Sequence, residues 1–114
     1  MTIEEMVYQA LLTVLANTHA VELPTRPSWP ALVFEIDSTP ETGWVLGGGY
    51  DQHEIVVSTL SKSKAEIAVL RRKTLDAIAA LPGFMGDEFA GDAEFEGDAG
   101  VYAYVQNFRV RTRR

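Results

Sequence analysis

Three groups of residues in this 114-residue chain have types and spacings that chemistry uses. The first is "LGGGYDQH" at 46–53, where three glycines precede Tyr50, Asp51 and His53 in the outline of a phosphate cradle. A phosphate loop continues into a lysine and a serine or threonine that open a helix, whereas a strand pattern follows here, so the segment reads as a hairpin tip. As metal ligands, Asp51 and His53 would share one strand face while Glu54 took the other. The chain holds only two histidines and no cysteine, so His53 is expected to be incidental and exposed, and His19 a loop residue. The second group is the run of carboxylates from Asp87 to Asp98, which alternates along one face of a strand pattern as a solvated face does. No serine stands in a nucleophile elbow, and no thiol is present. No catalytic, metal-binding or cofactor-binding residue is assigned, and the chain is not expected to be an enzyme. A carboxylate enzyme would need a concave pocket holding perturbed acids.

The third group is the closing "EFEGDAGVYAYVQNFRVRTRR", in which acids are followed within a few residues by Arg109, Arg111, Arg113 and Arg114. Basic residues so placed suggest nucleic acid, and "YAYVQNF" approaches the aromatic strand of RNA-recognition modules. Tyr102, Ala103, Tyr104 and Val105 fit its middle, but Gly100 stands where a basic residue belongs and Val101 where a glycine does. Phe108 comes one residue late, which in a strand means the opposite face. The formal net charge of -6 also argues against general affinity for polyanions. A small nucleic-acid-binding α+β module using the arginines and the aromatic strand remains the alternative reading. It predicts a steeply salt-dependent shift of single-stranded DNA.

These residues must be positioned by a single domain spanning 1–114, a length that buries roughly 65% of the unfolded surface. Hydrophobic residues at 46% and charged ones at 23% describe an ordinary globular chain, with no basic leader and no apolar run of membrane-spanning length. Thr2 and Glu5 form a capping-box pattern before a helix over 3–16, and Ser63 with Glu66 opens a second helix that runs to Leu81, before Pro82 and Gly83. Its inward side is read as Ile67, Ala68, Leu75, Ile78 and Ala79. Between the helices, "NTHAVELPTRPSWP" reads as an extended connector, "ALVFEIDS" and "HEIVVSTLS" as an antiparallel hairpin, and 40–52 as its mobile tip. A second hairpin joins 88–96 to 101–112 across "GDAG", with Phe95 opposite Tyr102, Phe89 opposite Phe108 and Glu88 opposite Arg109. The fold class is therefore α+β: an antiparallel sheet of about four strands in two hairpins, with two helices packed on one face. Phe34, Ile36, Val57, Leu75, Ile78 and Phe108 are its expected core.

The proline-bearing connector into "PALVFEID", the strand and helix "HEIVVSTLSKSKAEIAVLRRKTLDAI" and the closing "GVYAYVQNFRVRTR" resemble, in order and spacing over nearly the whole chain, the tail completion or tail terminator family of long-tailed bacteriophages. That resemblance implies a structural protein, made in the bacterial host cytoplasm and ending in the virion tail, that forms a ring of typically six copies. The ring caps the head-proximal end of the tail tube and prepares head-tail joining. Its partners would be itself, the tail tube protein and a head-completion or connector protein, with no cofactor, membrane or specific nucleic acid. A closed ring needs two different, complementary surfaces on each subunit. The expected interface residues are Trp44 and Tyr50 on the hairpin tip, the acidic Asp92, Glu94 and Glu96, and the basic Arg109, Arg111, Arg113 and Arg114.

Overall fold

A computed structural model describes residues 2–41, 49–95 and 100–113. Helix α1 spans Ile3–Leu12, where the Thr2 hydroxyl accepts from the Glu5 amide at 3.2 Å, and Val7 and Leu11, one turn apart, are buried. It stops four residues short of the expected end. Thr13 caps it, donating its hydroxyl to the Ala10 carbonyl at 2.6 Å, and the chain then turns into a strand.

That strand, β1 at Thr18–Ala20, lies in what the sequence suggested was plain connector. It runs parallel to β2, Ala31–Pro40, with Thr18 beside Leu32 and Ala20 beside Phe34. The Asn17 side-chain amide fastens the returning loop by donating to the Ser28 and Pro30 carbonyls, each at 2.8 Å. Strand β3, Tyr50–Ser61, pairs antiparallel with β2 from Ala31 and Leu60 to Pro40 and Asp51. Pro40 and Tyr50–Gln52, expected in a mobile tip, are thus part of the ladder, and residues 42–48 lie outside the described residues.

Ser63 caps α2, Lys64–Ala79, by accepting from the Glu66 amide at 3.3 Å, and Ser61 donates to the Glu66 carboxylate at 2.6 Å. The helix buries Ile67, Leu70, Thr74 and Ile78, while Ala68 and Ala79, expected to face inward, are exposed. Strands β4, Phe84–Ala93, and β5, Tyr102–Arg113, complete a five-stranded mixed sheet in the order β1-β2-β3-β5-β4. Both expected hairpins are present, joined through the antiparallel β3–β5 pair, with β1 as an added parallel strand.

The β4–β5 register differs from the expected one. Asp87 lies opposite Phe108 and Phe89 opposite Asn107, with irregularities between Phe84 and Gly86 and between Asp87 and Phe89. An extra residue in one strand leaves local alternation readable while turning side chains to the other face. Phe89 is consequently 58% exposed, and Phe108 packs against Phe84 instead, their ring centroids 6.4 Å apart. Phe95 meets Trp29 edge-on at 5.4 Å rather than Tyr102.

Both helices cover one face. Val7, Leu11, Leu32, Phe34, Ile55, Val57, Ile78, Phe108 and Val110 form the main core, with Ile36 and Leu75 at its margin. Each fully buried large apolar side chain stabilises the fold by about 1.5–3 kcal/mol. On the opposite face a smaller cluster of Leu60, Val101 and Ala103 is covered by Leu23, Trp29, Val33 and Phe95, so the proline-bearing connector shields one end of that face.

Candidate subunit interface

Alternation in β3 and β5 sorts the polar residues between the two sheet faces. On the face away from the helices, Gln52 and Glu54 of β3 lie opposite Arg111 and Arg109 of β5. Arg109 bonds the Glu88 carboxylate through Nε and donates Nη1 to Gln52 Oε1 at 2.7 Å, while Glu54 accepts from the Asn107 amide at 3.1 Å. Arg111 grips Glu41 with two parallel bonds, Nε to Oε1 at 2.7 Å and Nη2 to Oε2 at 2.9 Å. Its guanidinium also stacks 3.8 Å from the centroid of the Tyr50 ring.

The electrostatics follow from these contacts. The hydrogen bond from Arg109 holds the Glu88 carboxyl below its ordinary value, and Glu88 in turn raises Arg109. The hydrogen bond to Glu41 raises Arg111. Of the interface residues expected from sequence, Tyr50, Arg109 and Arg111 are therefore bonded within the subunit. Asp92, opposite Tyr104 in β4, and Glu94, just past its end, are exposed. Arg113 is exposed but lies inside the ladder opposite Tyr50, whereas it was expected beyond the pairing. Trp44, Glu96 and Arg114 lie outside the described residues.

His53 differs from expectation. It is only 5% exposed, with Nδ1 2.6 Å from the Ser38 hydroxyl and Nε2 2.7 Å from the Thr112 hydroxyl. The signal for its burial lay in the alternation, because His53 shares its face with Ile55 and Val57. His19 sits in β1 with Nε2 2.6 Å from Asn17 Oδ1. Among the described residues, no three histidines or carboxylates are grouped to hold a metal, and no helix is long and apolar enough to cross a membrane.

Sequence reasoning passed over a second polar region, on the helix face. Lys64 Nζ stands 5.0 Å from the Tyr102 ring centroid, and the Arg71 guanidinium 4.8 Å from that of Tyr104. The spacing makes both pairings legible, since residues seven apart share a helix face and residues two apart share a strand face.

No family model matches the chain, and no curated protein matches it. Its fold is shared with a chain from the virion of a native gene transfer agent (GTA) particle. The TM-score is 0.68 at 17% sequence identity, over 98% of this chain and 95% of that one. The likeness is one of fold: the α+β sheet with its two covering helices, matched nearly end to end.

Proposed function

We propose that the chain is a structural component of a phage-like particle and, within it, a tail terminator or tail completion subunit. It works without catalysis, joining copies of itself into a ring on the head-proximal end of the tail tube. There it meets the tube protein on one side and a head-completion or connector protein on the other. The observation that carries this reading is the nearly end-to-end fold match to a chain of a gene transfer agent virion. The order of elements over which the sequence resembles the tail terminator family supports the narrower role. The chemistry of the sheet surface agrees, because the groups with shifted ionisation, Glu88, Arg109 and Arg111, are spent on ion pairs that tie strands together.

The test is deletion of the gene in the particle-producing strain, scored by electron microscopy and rescued by the intact gene in trans. Overlong tails or unjoined heads, corrected on complementation, are expected. Tails of normal length joined to filled heads in the deletion strain would overturn the proposal.

A further inference from the structure

This subunit carries exposed acids beside α1 and unpaired cations along one side of α2, and we infer that these are the two halves of one contact: the α1 edge of one copy seats in the α2–β5 groove of the next. This deepens the ring reading above by naming its surfaces, and rests on it only for the expectation that copies meet.

At the β1 end of the sheet, α1 carries Glu4, Tyr8 and Leu12 at successive i, i+4 steps, hence in one stripe. All three are exposed, Tyr8 to 41% and Leu12 to 38%. Glu4, Glu5 and Tyr8 border a shallow groove floored by Ala20 and Phe34. Further exposed acids flank this edge: Glu22 just after β1, and Glu35 and Asp37 on the part of β2 that β1 leaves unpaired. Among the described residues none of these acids has a cationic partner.

The groove beside α2 has the opposite character. This groove, of about 300 Å³, lies between α2 and the β4–β5 hairpin, with Lys64 and Arg71 on one wall, Tyr102 and Tyr104 on another, Ile67 and Ala68 between them, and Asp92 as its one carboxylate among the described residues. Each cation is laid over a tyrosine ring, and neither has a carboxylate partner among the described residues. Lys62, just ahead of α2, adds an exposed cation, whereas Arg72 pairs with Asp76 at 3.8 Å and Lys73 lies toward Thr13 and Val14 on the other side of the helix.

The two surfaces fit in kind. A carboxylate–aromatic–aliphatic stripe offers acid to the cations and rings to the apolar floor. A phosphate backbone could use only the cations, and the -6 charge of the whole chain would repel it. Because the halves differ, the contact is heterologous and passes from copy to copy in one direction.

The absence of cysteine makes trapping clean. Leu12→Cys and Ala68→Cys chains, each carrying a single thiol and leaving every charge in place, are mixed as full-length proteins at high concentration under mild oxidation. A disulfide-linked heterodimer is expected at ten times or more the yield of dimer from either chain alone. Adding Lys64→Glu and Arg71→Glu to the Ala68→Cys chain should cut that yield at least tenfold, and adding Glu4→Lys to the partner should restore part of it. Thermal melts check that each variant folds. No heterodimer, mainly homotypic dimers, or a yield indifferent to charge reversal would overturn the inference. So would single-stranded DNA bound by the groove, and lost with Lys64→Glu and Arg71→Glu, in the absence of heterodimer. The outcome is separable from the tail assay: trapping with normal tails in the deletion strain would sink the terminator role alone, and abnormal tails without trapping would sink this contact alone.

Discussion

The sharpest mechanical prediction concerns Gly83, in the turn between α2 and β4. Its φ is +82°, and its carbonyl accepts from the Arg111 amide at 2.8 Å. A Cβ built there would stand 1.9 Å from the Arg111 carbonyl oxygen, inside the 3.0 Å that real Cβ atoms respect. Alanine therefore meets two penalties. The left-handed backbone costs roughly 1–2 kcal/mol for a residue with a Cβ. Relieving the overlap means moving the turn about 1 Å off β5, which weakens a hydrogen bond worth about 0.5–1.5 kcal/mol and loosens Phe84 from the core. The total of ~2–4 kcal/mol corresponds to a fall in Tm of roughly 8–16 °C for a chain of this length. Gly100 supplies the control, because its φ is +81° but a Cβ there meets nothing within 4 Å among the described residues. Gly100→Ala should show the backbone penalty alone. Urea and thermal unfolding of the two variants measure the difference directly. A Gly83→Ala protein within half a kcal/mol of Gly100→Ala would refute the close approach of the α2–β4 turn to β5.

Ile78→Ala, at a fully buried site, should cost ~2–5 kcal/mol in urea melts, and Leu75→Ala, at the core margin, less. Thr74→Val should be neutral or stabilising by up to about 1 kcal/mol, because the buried Thr74 hydroxyl has no hydrogen-bond partner among the described residues. His53→Ala should cost ~1–3 kcal/mol by removing the two hydrogen bonds of a buried ring to Ser38 and Thr112, read by the same melts. For Glu88, the folded-state carboxyl is held below its ordinary value by Arg109, so its contribution is present above the unfolded pKa and is lost as pH falls through the folded one. The difference in Tm between the native chain and Glu88→Gln should thus shrink on acidification below about pH 4.5, and an unchanged difference at pH 3 would remove the pair from the account.

What was legible in the sequence was local. Thr2 with Glu5 and Ser63 with Glu66 are capping boxes that need only four residues to be read, and both caps are in place. Phe34, Val57, Ile78 and Phe108 follow period rules, and all four are core. What was hidden depends on residues far apart in the chain. Strand β1 is three residues long and exists by parallel pairing with Leu32–Phe34, so no alternation of its own announces it. The irregularities near Gly86 and Glu88 preserve the polar–apolar rhythm yet invert the face of Phe89, leaving Phe84 to pack against Phe108. The arginines of β5 drew notice as a cluster. Glu41 and Glu88, which neutralise Arg111 and Arg109, lie 70 and 21 residues away in sequence.

That neutralisation redirects where subunits can meet. With Arg109 and Arg111 tied to carboxylates of their own chain, Glu4 and Glu22 near α1 and Lys64 and Arg71 on α2 are left without ion-pair partners among the described residues, while Asp87, Asp92 and Glu94 keep the β4 edge acidic. Sheet extension is the obvious alternative for a protein with a ten-residue edge strand, but charge opposes it here. The β4 edge presents Asp87 and Asp92, and the free stretch of β2 presents Glu35 and Asp37, so strand-to-strand pairing between copies would set like charges opposite one another. Edge meeting edge is disfavoured by these acids, whereas in the proposed contact Glu4 of the α1 stripe approaches Lys64 and Arg71. Electrostatic complementarity of this kind selects orientation and register more than it adds affinity. The apolar area must come from Tyr8, Leu12 and the tyrosine-lined floor. With each copy repelling the next through a net charge of -6, the proposed contact would be weak in free subunits and would gain strength from a surface that lines the copies up.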